Sequence, residues 1–181
     1  MNKKSNKKSR SMKKYTIWLF FRGQADYAYE VSQDDYERLA GWLNNPDDMG
    51  RFFWFSSSNG YNIAINLDYL QAVRFLWDPD YEALGIGHVI DDVERTEKSG
   101  ITVSLVNQTD FLHLNSQNPD RVYDFFTELE YGYKTIPYPS FIDEDGESIY
   151  ISSKELVWIS APSSMLEEGH QMVIERDGLT A

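Results

Sequence analysis

His88, His113 and His170 are the only imidazoles in a chain that has no cysteine, so any transition-metal site or imidazole acid–base chemistry would have to start from them. Two of them sit in related contexts, "LGIGHVIDD" and "LEEGHQMVIER", where a Gly-His pair follows an apolar strand-like run and precedes acids. A twofold relation between these stretches would bring His88 and His170 together as metal ligands. Asp91, Asp92 or Glu175 would supply carboxylates, a donor set suited to hydrolytic or oxygen-activating chemistry.

Other arrangements are weaker. The run "DEDGE", Asp143 to Glu147, crowds carboxylates as a calcium loop does, but it lacks the spacer and terminal Glu of an EF-hand, and turn chemistry accounts for it. Gly85-Ile86-Gly87 is too short for a dinucleotide fingerprint, and the chain has no P-loop, no G-x-S-x-G elbow and no H-E-x-x-H. The acid pairs Asp34-Asp35 and Asp47-Asp48 suit a helix start and a turn better than a glycosidase pair. The sequence implies no catalytic residue and no cofactor.

Charge is divided sharply along the chain. Residues 1–14 carry seven of the 17 basic residues and no acid, which leaves ten against 29 acids and a formal charge of −19 from Tyr15 onward. Such a body repels phosphate backbones, so direct nucleic-acid binding is not expected of it, and it attracts basic proteins. The Lys/Ser-rich tail reads as a solvated, disordered terminus. Met12 would also serve as a natural start, with residues 1–11 as an upstream extension. The apolar run "YTIWLFF" ends at Arg22 with no small-residue cleavage site beyond it, and no stretch approaches the ~18 apolar residues of a membrane span. A cytoplasmic protein without a membrane association is expected, in keeping with the absence of cysteine.

The elements that must position any site are written twice. A shift of 86 residues lays Thr16 on Thr102, Leu19 on Leu105, Leu43 on Leu129, Phe55 on Phe141, Ile63 on Ile149 and Leu70 on Leu156, and Asn59-Gly60 falls on Asp145-Gly146. His88 and His170 are 82 apart and so fall outside this register. Each half opens on β-branched and aromatic strands, "YTIWLFFR" and "ADYAYEVS" or "ITVSLVN" and "DFLHLNS". A helix follows, capped by Ser32 or Asn118, with apolar stripes at Tyr36, Leu39, Ala40 and Leu43 or Val122, Phe125, Phe126 and Leu129. The NG and DG dipeptides predict tight type I′ hairpins, and a last strand closes each half.

The expected fold is therefore α+β: two tandem ββαβββ repeats, mainly antiparallel, with one helix per repeat. The divisions are a basic tail over 1–14, a first repeat over 15–77, a packed connector over 78–100, a second repeat over 101–160 and a C-terminal extension over 161–181. Ile17 and Leu19 answer to Val103 and Leu105, which predicts a shared inner face. The opposite face of the first half is aromatic at Trp18, Phe20, Phe52 and Trp54. It must be covered by the other half, a second copy or a partner.

These features together predict a non-enzymatic adaptor, assembly or regulatory protein that binds a protein partner, one of basic character, through its acidic surface and that aromatic face, with homodimerisation as one cover. Two alternatives stand beside it. One is a small-molecule or metal site between the repeats near His88 and His170; the other is an acidic nucleic-acid mimic that inhibits a DNA-binding protein.

Overall fold

A computed structural model describes residues 13–45, 50–86, 100–132, 137–142 and 145–178. The fold is α+β, with a large antiparallel sheet and three helices. Strands β1 (Tyr15–Phe21) and β2 (Tyr27–Val31) precede helix α1 (Gln33–Asn44), and β3 (Phe52–Ser57), β4 (Tyr61–Asn66) and β5 (Leu70–Trp77) follow it. The order then recurs as β6 (Ile101–Leu105), β7 (Leu112–Leu114), α2 (Pro119–Thr127), β8 (Ser140–Ile142), β9 (Ser148–Tyr150) and β10 (Leu156–Pro162). Helix α3 (Ser163–Arg176) closes the described chain. The C-terminal extension expected from residue 161 thus begins as the end of a strand and continues as a helix that the sequence reading did not foresee.

Eight strands form one continuous sheet in the order β5-β1-β2-β3-β4-β10-β6-β7, and β8 and β9 form a separate two-stranded ribbon. The last strand lies between β4 and β6 and joins the two halves. Buried Asn66 fastens this seam, its amide donating to the Leu156 carbonyl at 2.9 Å while its Oδ1 accepts from the Asp68 N–H at 3.0 Å. Burying an amide without partners would cost about 1–3 kcal/mol, and both ends of this one are engaged.

Strand alternation gives the sheet two apolar faces. On one, Ile17, Leu19, Phe53, Phe55, Ile63, Ile65 and Trp158 pack with Leu39 of α1. On the other, Phe52, Ala64, Ile101, Val103, Ile159 and Ala161 pack with Val122, Phe125 and Phe126 of α2 and Leu166 of α3. This corrects the expected shared inner face: Ile17 and Val103 lie in clusters on opposite sides of the sheet. Each half is covered by its own helix, and those helices sit on opposite faces.

Local chemistry agrees with the expected elements in some places and departs from it in others. Ser32 caps α1, its Oγ accepting from the Asp35 N–H at 3.0 Å. Asn118 makes no such bond. Pro119 at the first helical position has no N–H to satisfy, and Asn118 instead donates its own N–H to Ser116 Oγ. The expected type I′ turn is not formed at Asn59-Gly60. Only Gly60 has positive φ, +82°, and Ser57 pairs with Tyr61 across three loop residues, the geometry of a turn followed by a left-handed glycine. Gly146 likewise has φ +81°.

Strand β2 meets β3 only at Val31 and Ser57. Beyond that pair α1 fills the gap: Asp35 accepts from the Ser56 N–H at 3.2 Å, and Arg38, ion-paired to Asp35 at 2.8 Å, donates to the Trp54 carbonyl. Backbone groups that the sheet leaves unpaired are thereby satisfied by side chains.

The start of the connector packs onto the first half. Tyr81, Leu84 and Ile86 cover Trp18, Phe20 and Ala28, and the Tyr81 hydroxyl bridges Thr16 Oγ1 at 2.7 Å and Glu30 Oε1 at 3.0 Å. Burial pushes the Glu30 carboxyl up, but hydrogen bonds from Lys14, Tyr81 and Ser58 outweigh it and hold the group below its ordinary range. The stabilisation from a depressed carboxyl is present above the unfolded value, about pH 4.3, and is lost as pH falls through the folded one. Glu30→Gln is therefore expected to cost about 1 kcal/mol at neutral pH. That difference should shrink as pH falls below the ordinary carboxyl range, as urea unfolding at neutral and at acid pH would read.

Candidate functional site

The aromatic residues singled out on the first half are covered from within. Trp18 is 8% exposed and Phe52 fully buried. Trp18 donates Nε1–H to Asp26 at 2.5 Å, packs on Phe20 with ring centroids 4.8 Å apart, and carries the Arg74 guanidinium over its ring at 5.0 Å. Phe52 lies in the cluster under α2. Of the three covers considered, the chain itself supplies this one, through the connector and the second half's helix. Trp18 and Phe52 are core residues rather than an open interaction face; Phe20 is half-buried against the connector.

Trp54 differs. It stands half-buried at the border between the halves, with Phe126 and Tyr123 of α2 edge-on to its ring at 5.6 Å and 6.3 Å. Beside it a surface groove of ≈ 280 Å³ opens between the sheet and the helix pair, lined by Trp54, Ser56, Asn62, Tyr123, Leu166, Glu167 and His170. Strands β3 and β4 make the floor through a directly opposed pair, Ser56 and Asn62, whose side chains are hydrogen-bonded at 2.5 Å. Helix α2 contributes Tyr123. Helix α3 contributes Glu167 and, one turn on, His170, whose ring stacks on Tyr123 at 4.9 Å and 22°.

The helix pair takes this geometry from one glycine. Gly169 is buried where α3 crosses the start of α2, and a Cβ there would stand 2.1 Å from the Pro119 carbonyl oxygen and 2.9 Å from Tyr123 Cβ. Only a residue without a side chain lets the two backbones approach this far. The same approach sets His170, its neighbour, against Tyr123.

The surroundings are acidic. Arg176 is held by Asp124 at 3.0 Å and by Asp177 at 3.1 Å, so its guanidinium is engaged. Burial and the nearby Asp124 push the Glu128 carboxyl above its ordinary range, against the opposing pull of Arg121. Among the described residues no lysine or arginine lines the groove. Two other concavities carry less chemistry. One of ≈ 450 Å³ lies beside Lys13, Tyr15, Val31, Ser32 and Gln33, and an apolar one of ≈ 400 Å³ lies at the end of β5 among Phe75, Leu76, Trp77, Pro79 and Leu84.

Two residues flagged separately in the sequence, Trp54 and His170, thus line one groove. His88 lies outside the described residues, as do Asp91, Asp92, Asp143 and Glu144. Among the described residues no three His, Asp or Glu side chains gather as a metal site. His113 sits on β7 near Thr102 Oγ1 at 3.4 Å, away from the groove-lining set. Among the described residues no helix is long and apolar enough to cross a membrane. Sequence reasoning missed Ser56, Asn62, Tyr123, Leu166 and Glu167. The spacing of Glu167 and His170, three apart on one helix face, was the available signal once residues 163–176 are taken as a helix. A scan against protein-family models finds no match, and searches of curated proteins and of solved structures find none.

Proposed function

We propose that this is a cytoplasmic, non-enzymatic interaction protein built from two copies of a ββαβββ unit, and that it binds a basic protein partner through its acidic surface. Three element starts support the repeat: Tyr15 and Ile101, Gln33 and Pro119, and Leu70 and Leu156 are each separated by the 86 residues of the sequence offset. The hairpin registers support it too, since Phe55 pairs with Ile63 and Phe141 with Ile149. Strand β7 fits less well, being three residues long and out of line by one.

The observation that carries the functional reading is the groove at the border of the two units, with aromatic walls and an acidic rim on a body of formal charge −19. A basic segment would be drawn in by the overall field and retained by aromatic contact. Calorimetric titration of the full-length protein with an arginine-rich peptide, against a control of the same length with glutamate for arginine, tests it. Binding of the basic peptide alone is expected, weakening at high salt without vanishing, because the aromatic share is not screened. Collapse at high salt would favour the acidic nucleic-acid mimic instead, and no binding at either salt would sink the reading.

The same groove supports a second reading, a small polar molecule bound between the units with His170 and Asn62 as its polar contacts. Native mass spectrometry of gently purified protein would reveal a retained mass if that reading holds.

A further inference from the structure

We infer that the Trp54–Tyr123–Glu167–His170 groove is a pocket for one arginine side chain of the partner, with the guanidinium as the recognised group; this rests on the interaction reading above. Three features of the groove match that group and no other common side chain so well.

The first is the balance of donors and acceptors. Glu167 offers a carboxylate, and Ser56 Oγ and Asn62 Oδ1 offer neutral oxygens, whereas no cationic side chain lines the groove among the described residues. Two guanidiniums on the helices beside it are already engaged, Arg38 by Asp35 and the Trp54 carbonyl and Arg176 by Asp124 and Asp177. A carboxylate or phosphate would meet Glu167 and the negative field of the body, while a guanidinium brings a positive charge and five donors to a site whose one charged side chain is a carboxylate.

The second is the walls. Trp54 stands nearly perpendicular to Tyr123, at 89°, and His170 lies almost parallel to Tyr123. Flat π surfaces suit a planar, weakly hydrated cation better than the compact, strongly hydrated ammonium of lysine. The third is access. Glu167 and His170 are exposed at the rim while Asn62 is buried at the floor, so a long side chain can enter end-on and place its head against the Ser56–Asn62 pair.

Such a pocket is a modest anchor taken alone, since exposed cation–π and ion-pair contacts are each worth about 1 kcal/mol or less. It acts as the register-setting contact within a longer basic segment that the acidic body draws in and that further aromatic contact retains.

The test is an NMR titration of isotope-labelled full-length protein with a short blocked peptide holding a single arginine among glycines and serines. A second titration uses the same peptide with citrulline, which keeps the shape and removes the charge. The inference expects shifts at the Trp54 indole and the His170 ring that grow with the concentration of the arginine peptide and none with citrulline. It also expects about twofold to fivefold weaker binding in Glu167→Gln, a change at an exposed position that leaves the fold intact. Equal shifts from the citrulline peptide, or an unaltered affinity in Glu167→Gln, would overturn it. Shifts confined to other acidic parts of the surface would overturn the pocket and leave the interaction reading standing, whereas absence of binding even by an arginine-rich peptide would remove both.

Discussion

Gly169→Ala is expected to undock α3 from α2 and lower the melting temperature by about 4–8 °C, although alanine is the better helix former. The propensity gain of replacing a helical glycine is about 1 kcal/mol. Against it stands a methyl group 2.1 Å from a backbone carbonyl oxygen, a contact that no side-chain rotation relieves because Pro119 is fixed in the first turn of α2. Overpacking typically costs about 1–3 kcal/mol, and a backbone contact this short belongs at the upper end, so the clash wins; for a chain of this length each kcal/mol moves the midpoint by about 2–4 °C. Gly100→Ala is the control. There a Cβ would crowd Met165 Cε at 2.9 Å, the free end of a flexible side chain, and touch Pro162 at an ordinary 3.8 Å, so a loss below about 1 kcal/mol is expected. Thermal unfolding followed by circular dichroism ranks the two, and equal losses would mean that the helix crossing is looser than its geometry. Because His170 and Glu167 flank Gly169 on α3, the alanine variant should also spread or close the groove, and the Tyr123–His170 stack should report it as altered ring shifts.

Phe52→Ala should destabilise the protein by about 3–5 kcal/mol, the range for removing a fully buried aromatic side chain. Urea unfolding should show the midpoint falling at an unchanged slope. The prediction discriminates between two roles. A residue on an open interaction face would lose partner binding with stability intact. Phe52 packs with Val122, Phe125 and Phe126 beneath α2, so its loss is felt first as stability and reaches binding only through the fold. Trp77, 66% exposed on β5, provides the contrast, and Trp77→Ser should change stability by no more than about 0.5 kcal/mol.

Much of the fold was legible because local chemistry and tertiary structure agree. The strands of the first half carry β-branched and aromatic residues where the sheet has them, Ser32 caps the helix that it announces, and the glycines of the two hairpins take the left-handed conformation their sequences invite. What stayed hidden has physical causes. Helix α3 begins after Pro162, which has no side-chain acceptor for a cap, and its apolar residues Met165, Leu166, Met172 and Val173 surround a glycine that usually marks an end rather than a middle. The sidedness of the sheet was hidden too. Alternation shows that β3 is apolar on both faces, but not that α1 covers Phe53 and Phe55 while α2 covers Phe52. The groove was half legible: Trp54 and His170 attracted notice for separate reasons, whereas their convergence depends on the Gly169 crossing, which no periodicity reports.

The placement of β10 has a consequence for the order in which the molecule can be completed. Among the described residues the strand that joins β4 to β6 is the last strand to leave the ribosome. Until residues 156–162 emerge, the first five strands can assemble with β4 as an open border, and β6 waits with an unfilled edge of its own. A nascent or prematurely terminated chain ending before Leu156 therefore displays two unsatisfied ladders side by side, an invitation to pair with a neighbouring nascent chain. Arrival of residues 156–162 closes both at once, so the large sheet is completed in a single step rather than strand by strand.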